Sequence, residues 1–167
     1  MKSDPVLDQL FARLSSGTVD AKLRPMVDRV ESTLNAHTEW PQAWESLQPE
    51  LFGPDRPDSI KSCWLFVLRT GQVFGAERHP NSHQRSIALK GSALFEVFVD
   101  GVWSGCPIDS VVGAKTISIP AYTWHRIKIG PTHFVSLSFH TVPAKDLIEE
   151  TPINNDLSIT QRRLYHG

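Results

Sequence analysis

The chain has 167 residues, 40% of them hydrophobic, enough for one well-buried core and too few for two full domains. Its formal net charge of -1, with acidic and basic residues interspersed, offers no basic stripe for nucleic acid or an anionic membrane surface. No stretch approaches the roughly 20 apolar residues of a membrane span, and no apolar segment follows Met1-Lys2-Ser3-Asp4-Pro5, so a cytoplasmic protein is expected.

Helical periodicity governs the first section. Val6, Leu7, Leu10, Phe11 and Leu14 share one face, behind an Asp4 N-cap with Pro5 at the first helical position, and Gly17 is a stop. Met26, Val27, Val30 and Leu34 predict a second helix after Pro25, and Trp40, Trp44 and Leu47 predict the apolar side of a third, shorter one. Pro49, Gly53, Pro54 and Pro57 then place a connecting loop at about residues 48 to 60.

Beyond this loop the pattern becomes β. Cys63 to Arg69, Ser86 to Leu89, Ala93 to Val99, Thr116 to Ile119, Arg126 to Ile129 and Phe134 to Phe139 read as strands, with a turn at Thr70-Gly71. Asp100-Gly101, between Phe98-Val99 and Val102-Trp103, is a tight hairpin signal, because that turn needs positive φ angles. Short strands without βαβ alternation predict a sandwich or closed barrel. After Val142, the run through Asp146, Glu149, Glu150 and Pro152-Ile153-Asn154-Asn155 predicts a short helix followed by an extended arm. The expected organisation is a helical extension and linker over residues 1–60, a barrel core over 61–142 and a C-terminal arm over 143–167. Cys63 and Cys106 read as thiols, since two cysteines in these contexts make no disulfide framework.

Two stretches concentrate residues able to do chemistry. The first is Gly71, five residues, Glu77-Arg78-His79, four residues, Gln84, six residues, Gly91; the second is Pro120-Ala121-Tyr122-Thr123-Trp124-His125. They resemble the two motifs of the cupin superfamily, which run Gly, five residues, His-x-His, three or four residues, Glu, six residues, Gly, and Pro-x-Gly, two residues, His. Every spacing of the first motif is reproduced, with Glu77 in place of a His and Gln84 in place of the Glu; in the second, Tyr122 replaces the Gly. The resemblance covers about 80 residues. It implies a double-stranded β-helix, or jelly-roll, barrel, here an all-β core with an N-terminal α-helical extension. Cupins often pair through strand edges, which implies a homodimer.

In that family the motif residues converge on one divalent metal. Carried over, the ligands are Glu77, His79, Gln84 and His125. Two imidazoles with one carboxylate resemble the facial set that holds iron(II) and leaves open positions, so iron(II) is the first expectation. A carboxylate in place of an imidazole moves the preference towards manganese, and nickel or zinc are further alternatives. His83 competes with Gln84, because successive strand residues face opposite sides and only one of the two reaches the pocket. The run His79-Pro80-Asn81-Ser82-His83 with Gly91 is also similar to cysteine dioxygenase, a cupin preceded by helices, which has a His at the position of His83. That enzyme's Ser-x-His-x-Tyr triad corresponds to Ser136-x-Ser138-x-His140, and its crosslinking Cys to Gln84, so the thioether crosslink is excluded.

The leading functional reading is a metal-dependent enzyme acting on a small polar or carboxylated molecule, an iron(II) dioxygenase with no nucleic-acid or membrane partner. A second uses the ion as a Lewis acid in lyase or isomerase chemistry, with His83 or His140 moving the proton. A third is a non-catalytic small-ligand-binding cupin, in which Glu77 is a solvated or salt-bridged residue and His79 and His125 line a metal-free pocket. Arg78 and Arg85 either pair with a substrate carboxylate or serve the surface. Trp64, Phe66, Tyr122 and Trp124 either wall the pocket or fill the core. His37, His133 and His166 are assigned no role.

Overall fold

The computed structural model describes residues 4–165. Asp4 caps the first helix: its Oδ1 accepts the Val6 N–H at 3.0 Å, and Pro5 opens α1 (Pro5–Leu14). α2 (Gly17–Ala36) contains Pro25, where the apolar pattern predicts a start. Pro25 and Ala21, whose carbonyl loses its helical partner, are both exposed. The freed oxygen therefore faces solvent, and the helix continues through the proline.

Trp40, Trp44 and Leu47 do not form a third helix. Gln42–Leu47 is β1, paired antiparallel with β2 (Ser62–Leu68) from Gln42 opposite Leu68 to Leu47 opposite Cys63. Three spaced apolar residues fit either period, and strand pairing satisfies backbone groups at the β2 edge that a helix would leave open. The linker that follows carries a 3-10 turn, Pro49–Phe52, which buries Phe52 with its ring 5.0 Å from that of Phe139.

β3 (Val73–Glu77), β4 (Gln84–Lys90), β5 (Ser92–Val99), β6 (Val102–Asp109), β7 (Thr116–Ile119), β8 (His125–Ile129) and β9 (Phe134–His140) complete two antiparallel sheets. Their orders are β1-β2-β9-β4-β7 and β3-β8-β5-β6, the facing sheets of a jelly-roll barrel. Asp100 and Gly101 take φ angles of 52° and 82° in the predicted hairpin turn.

The central strands of the larger sheet, β2, β9 and most of β4, are buried on both faces. Val135, Leu137 and Phe139 of β9, with Cys63, Leu65, Val67 and Ile87, pack under Leu7, Leu10, Leu23, Val30 and Leu34 of the helices. The alternate residues Ser136, Ser138 and His140 are buried as well and turn inward. The helices thus cover the outside of the barrel, each fully buried aliphatic side chain contributing about 1.5–3 kcal/mol. Cys63 lies under them, and burial pushes its thiol well up; both cysteines are free.

The tail differs from a helix and an extended arm. One 3-10 turn, Ala144–Asp146, leads into a hairpin of β10 (Ile148–Ile153) and β11 (Asp156–Leu164). Its turn residues Asn154 and Asn155 take φ angles of 52° and 62°, which Asn tolerates in a tight hairpin. Glu149 stands opposite Arg163 and Glu150 opposite Arg162. Reciprocal backbone hydrogen bonds of 2.9 Å between Arg78 and Glu150 fasten the hairpin to the barrel. Among the described residues, no helix is long and apolar enough to cross a membrane.

Candidate metal centre

Antiparallel pairing sets Glu77, the last residue of β3, opposite His125, the first of β8, and His79 follows in the turn. Glu77 Oε1 lies 3.4 Å from His125 Nε2 and 3.9 Å from His79 Nε2. One ligand atom from each of the three residues falls within 4.8 Å of the others. Both imidazoles are buried, and each ties its other nitrogen to a backbone carbonyl. His79 Nδ1 is 3.1 Å from the Ile148 oxygen, and His125 Nδ1 is 3.1 Å from the Thr123 oxygen. A carbonyl only accepts, so each Nδ1 carries a proton, and each ring turns its Nε2 towards Glu77. His125 Nε2 is buried without a hydrogen-bond partner.

Burial acts to raise the Glu77 carboxyl, yet His125, His79 and Glu149 together hold it down at about 2. Glu149 behaves in the opposite way. Burial first, and then the Glu77 charge, push it up to about 7 against the pull of Arg163. The contacting pair thus divides into an ionised Glu77 and a Glu149 that holds its proton up to about pH 7. Arg163 Nε donates to Glu149 Oε1 at 2.7 Å, while Glu149 Oε2 is buried and unpartnered. Burial lowers His79, opposed by the Glu77 charge.

A cavity of about 280 Å³ opens beside the cluster, with Glu77, His125 and Gln84 in its wall. Gln84 Nε2 donates to Ser86 Oγ at 3.3 Å, and Gln84 Oε1 is buried with no partner. His83 is absent from the cavity wall; its Nε2 lies 2.7 Å from Ser118 Oγ and 4.0 Å from Asp4 Oδ2. His140 is buried behind the cluster, edge-on to the His79 ring at 4.9 Å, with the Ser82 and Ser138 hydroxyls each 3.2 Å from its nitrogens. Burial, and then His79 and His125, push His140 well below its ordinary value, so it stays neutral. The fold therefore brings Glu77, His79 and His125 together, sets Gln84 into the adjoining cavity, and turns His83 elsewhere.

Both candidate substrate arginines are engaged by the protein. Arg78 Nε donates to Glu150 at 2.6 Å and its guanidinium lies 4.5 Å over the Trp124 ring, while Arg85 Nε donates to Asp4 at 2.7 Å. Phe66 lines the cavity, Trp64 and Trp124 are buried, and Tyr122 is exposed. His37 stacks on Trp40, His133 Nδ1 accepts the Thr70 N–H, and His166 lies outside the described residues. Glu149, Arg163 and Tyr165, which also line the cavity, are not singled out by the motifs. Their signal is the Glu149-Glu150 pair and the Arg162-Arg163 pair on either side of Asn154-Asn155, a charge-complementary hairpin pattern.

No family model and no curated protein matches the chain. Solved structures do. The pro-11S globulin of pumpkin is 16% identical over 68% of this chain and 28% of that one, with a TM-score of 0.53. Procruciferin, the 11S globulin from Brassica napus, is 14% identical over 69% of this chain and 29% of that one, also at 0.53. An oxalate decarboxylase of Lactobacillus farciminis is 18% identical over 62% and 29%, at 0.49. The chain spans less than a third of the length of each of these structures. Two facing antiparallel sheets around a partly polar cavity define a jelly-roll barrel protein. The chain is a cupin in fold, with a cluster of three potential metal-binding side chains at one end of that cavity.

Proposed function

We propose that the protein is a metal-dependent cupin enzyme in which Glu77, His79 and His125 hold one divalent ion and a small molecule binds in the adjoining cavity. The observation that carries this reading is the pair of Nε2 atoms turned onto one carboxylate oxygen, each fixed by an Nδ1 bond to a backbone carbonyl. A cation fits there. It would give the buried, unpartnered His125 Nε2 a partner and balance the charge of the Glu77 carboxylate. Gln84 Oε1, also buried and unpartnered, supplies a neutral oxygen donor to the ion or to a water beside it.

Two imidazoles and a carboxylate suit iron(II) and leave open positions, so the finer reading is an iron(II) oxygenase; the carboxylate also suits manganese. An iron(II) ion held by Glu77, His79 and His125 would supply electron exchange with dioxygen and Lewis-acid polarisation of a substrate. The chain's own residues orient the ligands: the Ile148 and Thr123 carbonyls fix the imidazole rings, and Arg163 holds Glu149 against Glu77. Ser86, Ser136 and Ser138 offer hydroxyls to a bound molecule from the cavity wall.

The test is elemental analysis of protein expressed without added metal, with anaerobic iron(II) reconstitution and oxygen-uptake screening against small thiols, keto acids and sugar acids. Near-stoichiometric iron with substrate-dependent uptake supports the oxygenase. Stoichiometric manganese, nickel or zinc without uptake favours lyase or isomerase chemistry. Failure to retain any ion after reconstitution leaves a ligand-binding cupin.

A further inference from the structure

The cavity wall changes chemistry along the barrel, and the strand registers give the order. At the cluster end Glu77 stands opposite His125, and Gln84 opposite His140. One two-residue step inward, about 7 Å along a strand, Ser86 faces Ser138. On the other sheet the same step from His125 reaches Ile127, which Phe74 and Phe95 both oppose. Phe66 stands opposite Ser136, and Leu68, opposite Phe134, closes the far end beside Gln42.

Phe66, Phe74 and Ile127 are only partly buried although they belong to the inner hydrophobic cluster, so the cavity bares apolar surface one step from the histidines. A wholly polar ligand would leave that surface wet. A ligand with an oxygen-rich head and an apolar body covers both ends. At about 30 Å³ for each water-sized group, 280 Å³ accommodates on the order of ten non-hydrogen atoms.

Building on the metal reading above, we infer that the substrate is a small amphiphile: a metal-chelating oxygen head, of the 2-oxo or 2-hydroxy acid type, on an aromatic or branched aliphatic body of about six carbon atoms. The head lies against the Glu77, His79 and His125 cluster within reach of the serine hydroxyls, and the body lies between Phe66, Phe74 and Ile127. This narrows the class from small polar molecules in general to those with an apolar end.

The experiment is calorimetric titration of the full chain, loaded with manganese(II), with pyruvate, 4-methyl-2-oxopentanoate and phenylpyruvate. Each buried methylene strengthens binding about fourfold, so the two larger acids are expected to bind at least about tenfold tighter than pyruvate. Phe74→Ser should reduce that preference to about threefold or less, with manganese content retained. If Phe74→Ser does not fold, Ile127→Thr carries the same expectation. Equal affinities for the three acids, or a preference untouched by a folded variant, overturn the inference. The same series on metal-free protein should keep its ranking at lower affinity, because the apolar end does not depend on the ion. Failure to take up manganese would overturn the metal reading alone, and a flat ranking on the metal-free chain would overturn this one.

Discussion

His79 and His125 turn their Nε2 atoms onto a single oxygen, Glu77 Oε1, at 3.9 and 3.4 Å, although their ring orientations are set from different parts of the chain. His125 is held by Thr123, two residues earlier, whereas His79 is held by Ile148 of the C-terminal hairpin. The hairpin is therefore part of the site and not an appendage to it. Its strand β10 supplies the Ile148 carbonyl, Glu149 beside Glu77, and Glu150 as the partner of Arg78.

Removing ligands should grade metal retention by position. Glu77→Ala is expected to lower bound metal about tenfold or more with the fold intact, and Gln84→Ala to lower it less. His83→Ala should leave metal content unchanged, because its imidazole bonds Ser118 outside the cavity. Metal content by elemental analysis, with circular dichroism as the fold control, decides this; a metal loss in His83→Ala larger than in Gln84→Ala would reverse the assignment.

His140 predicts acid sensitivity. Burial, reinforced by His79 and His125, holds it well below the ordinary histidine value of 6.5 in the folded chain. As pH falls through 6.5, the unfolded chain takes up a proton that the folded chain refuses. This contribution to stability is complete above 6.5 and is lost as pH drops towards the depressed folded value, at up to about 1.4 kcal/mol per pH unit. Urea midpoints of metal-free protein between about pH 7.5 and 5 should show a slope that His140→Gln flattens. An identical slope in the variant would remove His140 as its source.

The two motif glycines should differ in what alanine does to them. Both have positive φ, 71° at Gly71 and 73° at Gly91. A Cβ at Gly71 would meet nothing within 4 Å, while one at Gly91 would sit 2.3 Å from the His133 carbonyl oxygen. Gly71→Ala is thus expected to cost about 1–2 kcal/mol of backbone strain, and Gly91→Ala to add about 1–3 kcal/mol through displacement of the His133 backbone. Chemical denaturation of the two variants measures the gap, and equal costs would contradict the close approach at Gly91.

Tyr122 occupies the motif position where a glycine is expected, and it adopts φ of 64°. Its side chain is 64% exposed, with the Arg78 guanidinium 5.9 Å from its ring, so little packing compensates the strain. Tyr122→Gly is expected to raise stability by about 1 kcal/mol, read as a higher urea midpoint. A lower midpoint would mean that the ring contributes more than its exposure indicates.

The sequence by itself determined much of this protein. The apolar faces of the helices, the Asp4 cap, the Asp100-Gly101 turn and the paired motif spacings are all properties of residues a few positions apart, where backbone periodicity and turn chemistry act. The cupin barrel follows from those local signals together. What crosses from strand to strand was decided only by the tertiary structure. Trp40, Trp44 and Leu47 fit a helix until β2 offers β1 a ladder, and Pro25 reads as a boundary until the Ala21 carbonyl that it leaves without a partner proves to lie on the exposed side of the helix. Gln84 and His83 are equivalent by spacing until the pairing of β4 with β9 turns Gln84 inward opposite His140. Glu149 reaches Glu77 only because the tail folds back as a hairpin against Arg78. Each of these depends on which backbone groups find partners across large sequence separations, and no local pattern encodes that choice.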